Sequence, residues 1–190
     1  MIGIAILAIV TALAFPSYKA WIQNTRIKTT TSTILNGIQI ARAEAVRRNA
    51  QVQFMLGVNP DLTVGCLGGG NSCWTVGCVN FVAEPVAPAV TPPGCPLNIQ
   101  SRPASDPTGT IIVTLADATG TLTPANNTVV FTNLGGLAAA PVPFAQANVT
   151  VSTTLLPVAQ STPLRVTLGT GGNARMCDPA IAAAADPRKC

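Results

Sequence analysis

The residues with most chemistry in this chain are six cysteines, Cys66, Cys73, Cys78, Cys95, Cys177 and Cys190. No histidine accompanies them. No two form a C-x-x-C pair, which argues against structural zinc, so no metal and no cofactor is expected. An even number of cysteines without metal spacing reads as disulfides made in an oxidising compartment. Six cysteines allow fifteen pairings, and their spacing does not choose among them. The lack of histidine also removes Ser-His-Asp and Cys-His nucleophiles and the usual acid–base residue near neutral pH. The acids Glu44, Asp61, Glu84, Asp106, Asp117, Asp178 and Asp186 are scattered, with no suggestive pair. A non-enzymatic chain is the reading these residues support.

The elements that carry these residues follow from composition and pattern. A chain of 190 residues, 48% hydrophobic and only 9% charged, fits one domain with an appendage and has ample material for a core. Its first stretch, MIGIAILAIVTALAFPSYKAW, is apolar from Met1 to Phe15 except for Thr11. That run is short for a membrane span, which takes about 20 residues. It also lacks the basic n-region and the cleavage zone of a signal peptide. Instead the chain continues as a second helical pattern. Ile27, Thr31, Ile34, Ile38, Ala41 and Ala45 recur at steps of four and three, the stripe of an amphipathic helix packed on a sheet. The first fifty residues therefore read as one long helix, apolar all round and then one-sided, with Pro16 as a bend.

Beyond Gln51 the periodicity changes. VQFML, CVNFVAE, IIVTLAD, NTVVFTN, ANVTVSTT and PLRVTLG are β-branched or alternating runs separated by turn residues. They predict an antiparallel sheet with the helix packed against it, an α+β fold. GVNPDLTVGCLGGGNSCWTVG is rich in turn formers. Its triple glycine, Gly68 to Gly70, lacks the following Lys-Ser or Lys-Thr of a phosphate loop and reads as a plain loop. PVAPAVTPPGCP reads as an extended Pro-rich excursion.

The opening stretch resembles the N-terminal helix of the type IV pilin superfamily. Met1, Ile2, Ile4, Ala5, Ile6, Ile9, Ala14, Pro16 and Tyr18 match that family's M-I-x-I-A-I-x-x-I pattern with its later proline and tyrosine. Further on, CWTVGCVNF, VVFTNLGGL and PLRVTLGTGGNARMCDP with Cys190 resemble the GspH/FimT branch of minor pilins and type II secretion pseudopilins. Phe131 and Gly135 fit its F-x-x-x-G turn, and Gly172, Arg175 and Cys177 fit its closing tail. Asn173 stands where that tail carries its first arginine.

The resemblance implies a pilin fold, with residues 1–50 as the pilin helix, 1–20 of it the membrane or filament-core part, and 51–190 as a globular β-rich domain. It implies a membrane and assembly helix that uses Ile2, Ile4, Ile6, Leu7, Ile9, Val10, Leu13, Phe15, Pro16 and Tyr18. It implies a C-terminal disulfide loop between Cys177 and Cys190, leaving the pairing of Cys66, Cys73, Cys78 and Cys95 open. If the resemblance holds, Met1 is internal to the mature helix. About six residues, the family's FTLIE stretch with its assembly glutamate, would precede it and bring the apolar run to membrane-spanning length. The implied function is a minor pilin or pseudopilin of a type IV pilus or type II secretion system. Its partners would be other pilins through the helix, the inner membrane before assembly, and prepilin peptidase acting on the full-length precursor. The implied location is the bacterial inner membrane, single-pass with a periplasmic domain, and then the filament. A second implication is a DNA-binding minor pilin for natural transformation, with Arg175, Arg188, Lys189 and Arg165 as the contacts. A net charge of +4 is modest for phosphate binding, and Asn173 weakens that patch. The alternative outside this family is a secreted enzyme or binding domain with an atypical signal peptide.

Overall fold

The computed structural model describes residues 2–63, 65–66, 71–79, 95–104, 109–116, 128–138, 147–183 and 185–190. Within its first helix the described side chains are Gly3 and those from Ser17 onward. The triple glycine and most of the Pro-rich excursion lie outside the described residues.

Helix α1 runs Ile2–Arg48 without a break across Pro16. At 1.5 Å per residue it is about 70 Å long, far more than the domain beneath it needs. The predicted stripe is its buried face: Ile27, Thr31, Ile34, Ile38, Ala41 and Ala45 are all buried. A helix with so many Thr and Ser residues needs its hydroxyls satisfied locally. Thr25, Thr29, Thr31 and Ser32 each donate to the carbonyl four residues back, and Thr33 to the one three back. This leaves no hydroxyl of that set competing for the sheet backbone.

Two four-stranded antiparallel sheets lie under α1. The first has the order β3 (Gln100–Arg102), β2 (Trp74–Cys78), β1 (Val52–Leu56), β5 (Thr128–Phe131). The second has the order β4 (Ile111–Ala116), β6 (Ala147–Thr153), β7 (Leu164–Leu168), β8 (Ala174–Cys177). One core joins them: Ile27, Ile34 and Ile38 of α1 pack with Phe54, Trp74 and Phe131 of the first sheet and Val113, Val151 and Val166 of the second. The period of two is visible in the second sheet. Val113, Val151 and Val166 point to the helix, while Thr114, Thr150, Arg165, Thr167 and Arg175 share the opposite face by register.

Of the strand expected at CVNFVAE, residues 80–84 lie outside the described residues; the described strand is Trp74–Cys78, and Val79 N–H still donates to Gln51 O. Trp, Thr and Val favour a pleated surface, so the WTVGC stretch assigned to a turn-rich loop is a central strand instead. Gly77 fits there because Leu97 lies across it: a side chain at that position would meet the Leu97 carbonyl oxygen at 1.6 Å. The 95–99 segment is pinned by Cys78 N–H donating to Pro96 O and Ile99 N–H donating to Val76 O. Disulfides join Cys66 to Cys73, Cys78 to Cys95 and Cys177 to Cys190.

Candidate assembly and surface sites

The residues proposed for membrane insertion and assembly all lie on the first turns of α1. Ile2, Ile4, Ile6, Leu7, Ile9, Val10, Leu13, Phe15 and Pro16 are helical, and their side chains lie outside the described set. Among the described residues, no helix is long and apolar enough to cross a membrane. Tyr18 is exposed, and its ring stacks on the exposed Trp21 with centroids 6.2 Å apart. The first buried side chain after it is Gln23, and the first buried apolar one is Ile27. The described packing of α1 against the domain therefore belongs to its second part.

That second part is fixed at three points. Near its start, the Asn24 side-chain amide donates to Gln160 O at 3.0 Å and accepts from Thr162 N–H at 3.0 Å. One side chain thus ties the helix to the connection between β6 and β7. Close by, Thr153 Oγ1 on β6 donates to Gln23 Oε1 at 3.4 Å. Toward the C-terminal end, Arg42 Nε donates to Gly135 O at 3.0 Å. In the last turn, Glu44 takes Arg47 Nη2 at 2.7 Å and Arg48 Nε at 2.6 Å. The hydrogen bond from Arg47 is the chief reason the Glu44 carboxyl sits below its ordinary range.

The two motif segments meet beside Arg42. The turn after β5 closes through Gly135 N–H to Thr132 O and Thr132 N–H to Gly136 O. The β7–β8 turn closes through Gly172 N–H to Gly169 O, and Leu137 N–H donates to Thr170 O to join the two turns. Gly135 and Gly172 both have positive φ, 78° and 74°. A Cβ on Gly172 would lie 2.0 Å from Gly135 O. Glycine is required there by conformation and by space together.

The four proposed DNA contacts divide between two places. Arg165 and Arg175 line one cleft of about 410 Å³ with Thr167, Asn173 and Cys190, and Arg165 Nε also donates to Thr150 Oγ1 at 3.2 Å. Arg188 lines a different cleft and is paired with Asp186, with Nη2 2.8 Å from Oδ2. Its hydrogen bonds pull the Asp186 carboxyl down to about 2. Lys189 Nζ donates to Ala182 O at 3.1 Å, inside the C-terminal loop. Arg188 and Lys189 are thus engaged in holding that loop. Among the described residues, no three His, Cys, Asp or Glu side chains gather as a metal site.

Sequence reasoning did not single out Trp21, Asn24 or Arg42 for these roles. Nothing in the spacing of Arg42 points to a carbonyl 93 positions away. Trp21 carried a signal, since a tryptophan beside a tyrosine at i, i+3 falls off the apolar stripe.

Comparison with known proteins places this geometry. The model of the family described as "Type II transport protein GspH" matches residues 30–176, more than half of the chain. The crystal structure of the type IV minor pilin FimU from Pseudomonas aeruginosa is similar with a TM-score of 0.53 and 11% sequence identity. The match covers 86% of this chain and 99% of that one, and it shows a shared fold. The minor pseudopilin EpsH from the type 2 secretion system of Vibrio cholerae aligns with a TM-score of 0.45 and 11% identity, over 82% of this chain and 99% of that one. A search of curated protein sequences finds no match.

Proposed function

The chain belongs to the GspH family of type II transport proteins, and from that premise we propose that it is a minor pilin or pseudopilin subunit. It acts by assembly rather than by chemistry. Residues 1–50 form the assembly helix and 51–190 the globular domain. The observation that carries this reading is the division of α1. Its second part is built into the domain from Gln23 onward, whereas Ile2–Ile22 is a further stretch of helix about 30 Å long, the thickness of a hydrocarbon core. The sequence of that stretch is apolar to Phe15.

Before assembly this segment sits in the inner membrane as a single pass, with the domain in the periplasm and its disulfides in an oxidising compartment. Prepilin peptidase acts on the full-length precursor. In the filament the same helix exchanges lipid for neighbouring helices, so packing and not a hydrophobic gain drives association. Ile2, Ile4, Ile6, Leu7, Ile9, Val10, Leu13 and Phe15 are the contacts, and the Cys177–Cys190 loop keeps the tail folded on β8.

The test is deletion of the chain's coding sequence in its source cells, with complementation. The expected result is loss of surface filaments or of type II protein secretion, restored by the wild-type chain and not by Leu7→Arg. Normal filaments and normal secretion in the deletion would refute the reading.

A further inference from the structure

Tyr18 and Trp21 are 59% and 64% exposed, large values for aromatic side chains in a chain with so few. Their rings lie 24° from parallel, so they present one continuous aromatic surface. Trp21, Asn24, Thr25 and Lys28 follow at i, i+3, i+4 and i+7 and occupy one face of α1. That face forms one wall of a cleft of about 490 Å³, with Met176, Asp178 and Arg188 opposite.

Around the helix at this level the sequence is basic. From Ser17 to Lys28 the chain carries Lys19, Arg26 and Lys28 and no acid. On the opposite wall Arg188 pairs with Asp186, while Asp178 Oδ1 accepts from Ala180 N–H and keeps its negative charge in the cleft that Lys28 also lines. The cation nearest the end of the apolar run is Lys19.

Position along the helix decides what this surface meets. With a rise of 1.5 Å per residue, Tyr18 lies about 5 Å and Trp21 about 9 Å beyond Phe15, where the apolar run ends. The headgroup layer on each side of a bilayer is about 5–8 Å deep. Tyr18 falls within that layer and Trp21 at its outer edge. Lys19 stands about 6 Å out, within the same layer, whereas Lys28, about 20 Å out, is more than a Debye length of about 8 Å from the headgroups. Tyrosine and tryptophan settle at headgroup level because each has an apolar body and a polar tip, and lysine stems lie along apolar surface with the ammonium in water.

We infer that Tyr18, Lys19 and Trp21 form an interfacial anchor for an anionic glycerophospholipid surface. It sets the depth of α1 and seats the base of the domain on the bilayer. This rests on the membrane reading given above. It adds the lipid class and the residues that recognise it. Release into a filament then requires removing an aromatic and cationic collar from headgroups, besides withdrawing the apolar run.

The experiment uses the full chain reconstituted into phosphatidylcholine vesicles with and without phosphatidylglycerol. Trp74 is buried at 1% exposure, so collisional quenching reports Trp21, and Trp21→Phe checks this by removing the signal. The chain should float with both vesicle types. Lipids brominated near the headgroup should quench Trp21 several-fold more than lipids brominated near the chain end. Phosphatidylglycerol should reduce quenching by the neutral quencher acrylamide several-fold, and Lys19→Gln should abolish that effect without altering flotation. A chain that floats but leaves Trp21 equally open to acrylamide in both vesicle types overturns the anchor and leaves the membrane reading intact. Equal shielding in neutral vesicles overturns the anionic preference. A chain that does not float overturns the membrane reading, and the anchor with it.

Discussion

Arg42 Nε donates to the carbonyl oxygen of Gly135 at 3.0 Å, and that oxygen lies where a side chain on Gly172 would have to go. One bond thus joins the helix to the turns that close both sheets. Replacing Arg42 by Met keeps the aliphatic stem and removes the donor. The expected loss is about 1–2 kcal/mol, because the bond is charge-assisted but only partly buried. Gly172→Ala should cost more, about 2–4 kcal/mol, from left-handed strain with a backbone clash. Urea unfolding of the domain measures both, and Gly172→Ala milder than Arg42→Met would contradict this account of the junction.

Gly37 sets intrinsic propensity against packing. In an exposed helix Gly→Ala gains about 1 kcal/mol. Here a Cβ would meet Phe54 Cε2 at 2.8 Å and the Trp74 ring at 3.0 Å, and both rings are fully buried. Overpacking of this kind costs about 1–3 kcal/mol, so the net effect of Gly37→Ala should be a lower melting temperature. A stabilised variant would show that α1 does not approach the first sheet so closely.

These two glycines mark how far the sequence was legible. The stripe from Ile27 to Ala45 was readable because burial on one face of a helix leaves a 3.6-residue period. Most strands were readable because a half-buried strand alternates. The division into two sheets was not, since period two states which face is buried but not which strand is the neighbour. The first part of strand β2 was missed because Gly77 and the surrounding turn formers hid a strand buried on both faces. The side-chain bridges left no pattern at all. Asn24 bonds Gln160 O and Thr162 N–H, and Asn71 bonds both backbone groups of Val113, each acting as a short piece of ladder between distant segments. The aromatic pair Tyr18–Trp21 was visible, but its exposure was not.

Asn24→Ala removes both bonds to the β6–β7 connection. The expected effect is local: faster amide hydrogen exchange at Thr162, and about 1 kcal/mol of stability lost. Asn24→Asp keeps the acceptor for Thr162 N–H and should preserve most of that protection. Unchanged exchange at Thr162 in Asn24→Ala would remove this tie from the account.

The C-terminal loop is closed by a disulfide with a sequence separation of 13. Cys177→Ser with Cys190→Ser should therefore cost about 3 kcal/mol on the chain-entropy estimate. Peptide mapping of the unreduced protein should recover Cys66–Cys73, Cys78–Cys95 and Cys177–Cys190. Any other pairing contradicts the fold around β2 and β8.

Within that loop Asp186 is held at about 2, first by the side-chain hydrogen bond from Arg188. A depressed carboxylate stabilises the folded loop above its unfolded value and loses that contribution as pH falls through the folded one. The loop's acid sensitivity should thus fall between the ordinary aspartate value, about 3.9, and about 2. Carboxyl carbon NMR of Asp186 should show a midpoint near the lower figure, returning to the ordinary range in Arg188→Gln. A midpoint that does not respond to Arg188→Gln would show that the ion pair is not formed in solution.

The central claim is that α1 joins this chain to others of its kind through the apolar run. A photo-crosslinking residue placed at Leu7 of the full chain, expressed in its source cells, tests this most directly. After irradiation, the sheared filament fraction, or the membrane fraction where the filament stays within the envelope, should contain this chain covalently joined to another pilin-like subunit. The same probe at Asp61, on an exposed loop of the domain, should give far less of that adduct. A chain that is recovered only in the soluble fraction, with Leu7 joined to no other subunit, would contradict the account.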